Sequence, residues 1–485
     1  MVEINNVTFT YTGQEQDGLR DINLRILDGE CVLLCGKSGC GKTTITRLIN
    51  GLIPHFFDGE LQGEVFVDGK DINQLPMYEI AGKVGSVFQN PRTQFFNVDT
   101  DSEIAFGVEN KAIPPKELSE RVEQTTSELG IKNLRDRNIF ELSGGGKQKI
   151  AFASVYAMNP DIYLLDEPSS NLDANSINEL KNHLALVKKQ GKTVVIAEHR
   201  LYYLMDIVDR IIYMDQGQII KIYNREEFQT LSNEERKQMG LRAISLHDEK
   251  PLAAIPPSLT TALKIKDASF FYKKKSILTN INIEVMQGEI IAIVGNNGAG
   301  KTTFSRALCG LHKNGTGDFL LYEKPVNHKQ RLNHSYLVMQ DVNYELFAES
   351  VENEVIFGIK NPDFEIAENT MKKLKLISFR NRHPNTLSGG QKQRVAVAVS
   401  MVCNKEILVF DEPTSGLDYN SMLSVAGLID ELASLRKIIF IVTHDYEFVC
   451  NTCTRILQFD KGKIANDLSV DEKNKEKIKE IFSIV

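Results

Sequence analysis

Two stretches of the sequence, Gly36-Lys-Ser-Gly-Cys-Gly-Lys42-Thr43 and Gly295-Asn-Asn-Gly-Ala-Gly-Lys301-Thr302, share the order G-x-x-x-x-G-K-[ST]. Each follows an apolar run and opens a helix-like segment, the context in which such a loop wraps a polyphosphate. Gly36, Gly39 and Gly41, like Gly295, Gly298 and Gly300, let backbone N–H groups turn inward, and a helix N-terminus adds partial positive charge. Lys42 and Lys301 are expected to reach the β- and γ-phosphates, and Thr43 and Thr302 to place hydroxyls on Mg²⁺. Thr44 and Thr303 are counted with them as nucleotide-binding. A glycine-rich turn that merely joins strand to helix is the plain alternative, and two intact copies argue against it.

A second pattern supplies acids. Ile162-Tyr-Leu-Leu-Asp166-Glu167-Pro168 and Ile407-Leu-Val-Phe-Asp411-Glu412-Pro413 each close a buried-looking strand with two carboxylates. Successive side chains on a strand point oppositely, so the two acids divide the work. Asp166 and Asp411 are expected to hold Mg²⁺, while Glu167 and Glu412 orient and polarise the attacking water. A lone D-E-P would read better as a solvated turn; its position behind a phosphate loop reverses that. About 30 residues on, His199 and His444 close another apolar strand. An isolated histidine is more often structural, but two at matched positions read as γ-phosphate sensors.

Positioning these groups requires a particular scaffold. Short runs such as Glu30-Cys-Val-Leu-Leu-Cys35 and Thr193-Val-Val-Ile-Ala197 are apolar on both faces and alternate with helix-like segments, so a parallel sheet covered on both sides is expected. The fold class is α/β, and the chain is written twice. Ser143, Asp166 and His199 recur at Ser388, Asp411 and His444 with one offset of 245, whereas Lys42 recurs at Lys301 with an offset of 259. Copy one therefore carries 14 extra residues between its first and third motifs, about eight of them before its glutamine. Val2-Glu-Ile-Asn-Asn and Leu263-Lys-Ile-Lys-Asp alternate like strands and open each copy with a small sheet. A charged segment ending in Pro251-Leu-Ala-Ala-Ile-Pro256-Pro257-Ser258 reads as a linker, which gives domains at 1–221 and 263–485 with a linker at 222–262.

Composition narrows the class. The 485 residues suffice for two or three domains with their own cores. A net charge of −7 argues against a polyanion as main partner. Seven scattered cysteines suit a reducing compartment rather than a disulfide framework, and the lone pair Cys450 and Cys453 reads as structural thiols. The start shows no basic region followed by an apolar stretch, and no run approaches the ~18 to 20 apolar residues of a spanning helix. The chain is expected to be cytosolic unless tethered.

Joined by Leu142-Ser-Gly-Gly145 and Leu387-Ser-Gly-Gly-Gln-Lys-Gln-Arg394, these motifs resemble the ATP-binding-cassette ATPases over nearly the whole chain. Ser143, Gly144 and Gly145, like Ser388, Gly389 and Gly390, sit just before a helix and would present an anion-binding N-terminus. In that family this loop faces the ATP on the opposite domain. The resemblance implies two P-loop domains, each with a mainly parallel sheet flanked by helices, a small antiparallel sheet and a helical subdomain. It also implies head-to-tail closure on two ATP molecules with Mg²⁺. Site one would use Tyr11, Lys42, Thr43, Gln89, Asp166, Glu167 and His199, completed by Ser388 and Gly390. Site two would use Tyr272, Lys301, Thr302, Gln340, Asp411, Glu412 and His444, completed by Ser143 and Gly145. Tyr11 and Tyr272 match the family's adenine-stacking aromatic; as bare residues they read as half-buried strand tyrosines. Gly146 stands where copy two has Gln391, which weakens that helix start and implies slower hydrolysis at site two.

Around the glutamines, Val87-Phe-Gln89-Asn-Pro-Arg-Thr-Gln-Phe95-Phe96-Asn97 and Met339-Gln340-Asp-Val-Asn-Tyr344-Glu-Leu-Phe347 place aromatics among polar residues, a composition suited to a partner groove. Capping of the local core is the alternative for Phe95 and Phe96. The first segment, with Ala197-Glu198-His199-Arg200-Leu201, resembles the ATPases of energy-coupling factor transporters, importers of vitamins and metal ions. That resemblance implies integral membrane partners, a scaffold and a substrate-capturing subunit, and a peripheral location on the cytoplasmic face of the cell membrane. It implies no nucleic-acid partner and no direct small-molecule substrate besides ATP. A soluble twin-cassette factor acting on ribosomes would carry a long basic linker or arm, whereas 222–262 is short and mixed in charge. A DNA-repair cassette protein would carry Cys-rich zinc modules. The twin-cassette ATPases of sugar importers share this layout but usually have one degraded catalytic site, and both Glu167 and Glu412 are present here.

Overall fold

In the computed structural model the described residues are 1–13, 18–170, 172–251, 260–273, 275–339, 342, 345–387 and 389–484. They form two compact units, Met1–Ile244 and Ser245–Val485.

In the first unit, Cys31–Gly36, Thr193–Ala197 and Ile162–Asp166 are buried almost throughout, and they pair in parallel. The six-stranded sheet runs Gln218–Asn224, Arg210–Asp215, Cys31–Gly36, Thr193–Ala197, Ile162–Asp166 and Val84–Val87, with the first strand antiparallel to its neighbour. Its two faces seed two cores. Leu33, Val194 and Ile196 pack with Phe152 and Leu184 from the helices Gly144–Met158 and Ala174–Lys189, whereas Val32, Leu34 and Val195 pack with Ile45 and Leu48 of the helix Lys42–Ile49. Burying one such side chain contributes about 1.5–3 kcal/mol, which is why these strands lack polar alternation. A four-stranded antiparallel sheet, with Val2–Tyr11 between Gly18–Ile26 and Gly59–Val67, carries the alternating opening sequence. The helices Thr100–Glu109, Pro115–Glu128 and Gly144–Met158 pack together as the helical part.

The second unit repeats this. Its six-stranded sheet runs Ser335–Val338, Ile407–Asp411, Ile438–Val442, Ile290–Val294, Arg455–Asp460 and Lys463–Ser469. Its antiparallel sheet is built on Thr261–Tyr272 and Lys275–Met286. Register explains why the motifs meet. Ala197 lies opposite both Leu34 and Asp166, as Val442 lies opposite Ile293 and Asp411, so phosphate loop, acids and histidine leave the sheet at one end of its central strands.

The segment between the copies departs from expectation. Within 222–262, Arg225–Gln229 and Asn233–Gln238 are helices, capped by Asn224 and by a Ser232–Glu235 capping box. Phe228 is fully buried against Tyr223, and buried Arg236 donates to the Leu241 carbonyl at 2.8 Å. These residues belong to the first unit, and Thr261 already lies in the first strand of the second. Much of the segment's charge faces outward, but Arg236, Arg242 and Glu249 are buried with Phe228. Pro256 and Pro257 lie outside the described residues. All seven cysteines are free, with Cys450 and Cys453 buried. Among the described residues no helix is long and apolar enough to cross a membrane.

Candidate active site

The helix Lys42–Ile49 begins at Gly41 (φ 104°) and Lys301–Leu308 at Gly300 (φ 108°), neither capped by a side chain. Lys42 is buried; its Nζ donates to the carbonyls of Gly36 and Lys37, both at 3.1 Å, and lies 3.2 Å from His199 Nε2. Lys301 Nζ donates to Gly295 O at 2.6 Å and Asn296 O at 3.2 Å. The loop carbonyls thus hold the ammonium in the cradle.

Thr43 Oγ1 donates to Asp166 Oδ1 at 3.3 Å. Adjacent ligands of an octahedral Mg²⁺ with ~2.0–2.1 Å bonds stand roughly 3 Å apart, so this pair of hard oxygens fits the ion. Burial, and then the neighbouring Glu167, push the Asp166 carboxyl up to about 7, and burial pushes Asp411 up to about 6. The folded, nucleotide-free chain therefore retains a proton that the unfolded chain releases between 3.8 and about 7, and its stability falls as pH rises through that window. Asp166→Asn is expected to raise the nucleotide-free melting midpoint at about pH 8 by roughly 2–4 °C and to flatten its pH dependence. Mg²⁺-dependent turnover should fall in the same variant. Melting curves at both ends of the window check the first effect, and an unchanged slope would refute it.

The two acids are separated by a turn rather than by strand alternation. Each strand ends at the aspartate, and Glu167 (φ 45°) and Glu412 (φ 52°) are left-handed. Their amides donate to Ala197 O and Val442 O, both at 2.8 Å. A non-glycine residue held there costs about 1–3 kcal/mol, and matched strain in both copies is what a directed side chain requires. Glu167 Oε2 accepts from Gln89 Nε2 at 2.5 Å, and Oε1 lies 3.5 Å from His199 Nε2. In copy two His444 Nε2 lies 3.8 Å from Glu412 Oε1.

Copy one therefore gathers Lys42, Thr43, Gln89, Asp166, Glu167 and His199. Ser143 is not among them. It is exposed, and its Oγ accepts from Gly146 N at 3.2 Å, a proper N-cap. Gly146 thus leaves the cap of this helix intact. Gly389 and Gly390 open the helix Gly389–Val402; Ser388, Gln340 and Tyr344 lie outside the described residues. Tyr11 and Tyr272 differ. The Tyr11 hydroxyl is 3.2 Å from Thr44 Oγ1 and accepts from Arg47 at 2.9 Å, with its ring edge-on to Phe9, whereas Tyr272 is 66% exposed.

Some positioning residues gave no sequence signal. Buried Lys147 donates to Phe140 O at 3.2 Å and Leu142 O at 2.6 Å, bracing the loop before Ser143. Buried Glu103 accepts from the amides of Phe96 (3.0 Å) and Asn97 (2.8 Å), and Glu354 from those of Phe347 (2.7 Å) and Ala348 (2.6 Å). Both stand on helices whose composition marks them only as polar, so their inward reach was not legible. The Phe95–Phe96 pair splits: Phe95 packs on the core, whereas Phe96 is 75% exposed and stacks on Phe106 at 4.7 Å.

Comparison with known proteins places this geometry. The model of the ABC transporter family matches residues 19–170 and 278–415. A Treponema denticola protein described as an ABC transporter ATP-binding protein is 50% identical over 481 residues, covering 98% of each chain. A Saccharolobus solfataricus protein of the same description is 34% identical, over 96% of this chain and 93% of that one. Among solved structures, a chain from a model of ribosome-bound archaeal Pelota and ABCE1 aligns over 98% of this chain and 80% of its own, with a TM-score of 0.71 at 20% identity, a likeness of fold alone.

Proposed function

The chain belongs to the ABC transporter family of ATP-binding proteins, and from that premise we propose that it powers an importer of the energy-coupling factor type from the cytoplasmic face of the membrane. Two ATP sites would be completed head-to-tail, Ser388 and Gly390 serving the Lys42 pocket and Ser143 and Gly145 the Lys301 pocket. Within copy one, Lys42 binds the β- and γ-phosphates, Glu167 polarises the attacking water, and His199 bears on the γ-phosphate. Mg²⁺, held through Thr43, Asp166 and Gln89, supplies charge neutralisation of the phosphates when bound. Thr302, Asp411, Glu412, His444 and Gln340 hold the corresponding roles in copy two. Ser143 is exposed, with its hydroxyl capping its own helix, as the reciprocal arrangement requires of a residue that serves another nucleotide.

The observation that carries the transport reading is an exposed aromatic repeated in each unit, seven residues after the motif glutamine. Phe96 and Phe347 occupy matched positions, 75% and 69% exposed, each presented by a buried glutamate that holds the backbone beneath it. Fixed aromatics in a polar rim are the makings of a protein–protein anchor. Integral scaffold and substrate-capturing subunits are the partners this reading assigns, with a vitamin or metal ion as cargo. The equal presence of both glutamates in the same strained geometry favours this over a sugar importer with one degraded site.

Purification from the native membrane tests it, and the integral subunits that accompany the chain would identify the system. Phe96→Asp with Phe347→Asp should cut recovery of those subunits at least about tenfold, because a buried anchor is worth about 2 kcal/mol or more, while ATP binding persists. Undiminished recovery would refute these two aromatics as docking anchors. Sedimentation with ribosomes instead would favour a soluble factor.

A further inference from the structure

The loop that follows Glu167 and the strand end that carries His199 are tied together differently in the two copies. In copy one the tie is Glu198, buried and placed just before the histidine. Its Oε1 accepts from the Ser169 amide at 3.2 Å and the Tyr203 hydroxyl at 2.9 Å, and its Oε2 from the amides of His199 at 2.8 Å and Arg200 at 3.4 Å. Arg200 closes the tie from the other side, donating to Ser169 O at 3.3 Å and Leu172 O at 3.4 Å.

In copy two, position 443 is a threonine, and the carboxylate lies after the histidine, at Asp445. Its Oδ2 accepts from the Thr414 hydroxyl at 2.8 Å and its Oδ1 from the Phe448 amide at 3.1 Å, while its own amide donates to Thr443 Oγ1 at 3.1 Å. The four positions correspond at the offset of 245: Ser169 with Thr414, Glu198 with Thr443, Arg200 with Asp445, Tyr203 with Phe448. All four differ, and each difference serves the carboxylate. Where it is Glu198, the loop offers an amide and the following helical turn a phenol. Where it is Asp445, the loop offers a hydroxyl and the turn only a ring and an amide. The histidine amide follows suit, bound by Glu198 in copy one and by Glu412 Oε2 at 3.4 Å in copy two.

We propose that Glu198 is a positioning residue for ATP hydrolysis, fixing His199 against the loop after Glu167, and that copy two performs the same task with the carboxylate transposed to Asp445. The proposal rests on the reading of His199 as the γ-phosphate switch. Burial makes it a matter of geometry: a single anion bound by four donors holds the two segments at one separation, and its loss frees both.

The test uses the full chain carrying Glu412→Gln, so that turnover reports the Glu167 site. Glu198→Thr is expected to lower kcat about tenfold or more, since small displacements of catalytic groups carry penalties of that order. KM for ATP should stay within about twofold, because the phosphate cradle is untouched. Adding Ser169→Thr, Arg200→Asp and Tyr203→Phe, which installs the arrangement of copy two, should bring kcat back to within about threefold of the parent. A merely structural role would lower the melting midpoint and leave kcat of the folded protein near the parental value, whereas a positioning role lowers kcat at constant KM. Parental kcat in Glu198→Thr overturns the proposal, and so does a fourfold variant no faster than the single one. Glu198→Gln, the least disruptive change, should also slow turnover and guards against misfolding of the threonine variant; parental kcat in it overturns the proposal too. His199→Ala separates the two ideas. If it is slow beside a parental Glu198→Thr, this inference alone falls, whereas parental turnover in His199→Ala removes the switch reading itself.

Discussion

Glu167→Gln is expected to lower ATP turnover at its site at least about a hundredfold, about 2.7 kcal/mol of barrier, while leaving ATP affinity near its parental value. Glutamine keeps the shape and the hydrogen-bond reach toward Gln89, but it cannot take a proton from water. The backbone at this position is fixed by the hydrogen bond that its N–H donates to Ala197 O and by its left-handed φ, so the substitution tests chemistry rather than fold. Single-turnover hydrolysis alongside equilibrium nucleotide binding separates the two quantities. Glu412→Gln is the comparator. If the Gly146 difference slows site two, turnover surviving in Glu167→Gln will be lower than that surviving in Glu412→Gln. Equal residual rates would remove the asymmetry, an outcome the intact Ser143 cap makes physically accessible.

Gly36→Ala is the second large effect. Gly36 has φ +148°, and a Cβ there would stand 2.2 Å from the Met214 carbonyl oxygen and 2.8 Å from Cys40 Sγ. Gly295 repeats the conflict with Phe459 O at 2.2 Å. Backbone cannot swing aside as a side chain can, so the strand carrying Met214 or the phosphate loop must shift. A cost of about 2–4 kcal/mol and loss of measurable ATP binding are expected. Gly39→Ala is the control. Its φ of +79° is strained for alanine, but its Cβ would meet nothing within 4 Å. That change should cost only about 1–2 kcal/mol. Calorimetric melting and nucleotide titration of the pair check the difference. Equal behaviour would mean that steric closure behind Gly36 is not what shapes the cradle.

The same contrast shows where the sequence was informative. Gly36, Lys42, Asp166, Glu167 and His199 were legible because their chemistry demands fixed types at fixed spacing and because the chain states them twice. The parallel sheet was legible because runs such as Thr193–Ala197 are apolar on both faces. The helices at 225–238 were not, since their anchors, Phe228 and Arg236, are isolated among charges and become meaningful only with the surface they bury. Tyr11 illustrates a subtler limit. Its motif position marks an aromatic, but its hydroxyl contacts with Thr44 and Arg47 and its packing on Phe9 depend on two sheets meeting.

The sequence alone determined that this protein is a doubled α/β nucleotide hydrolase, because phosphate binding and water activation are local, motif-encoded demands. Only the tertiary structure decided which carboxylates reach inward to hold those motifs in place. Glu103, Glu354 and Asp445 read as ordinary polar residues along the chain, and Glu198 entered only as part of a family-like segment, with no task of its own. Each acquires its work from backbone amides and hydroxyls that register and packing bring within hydrogen-bond distance, a relation that no one-dimensional spacing records.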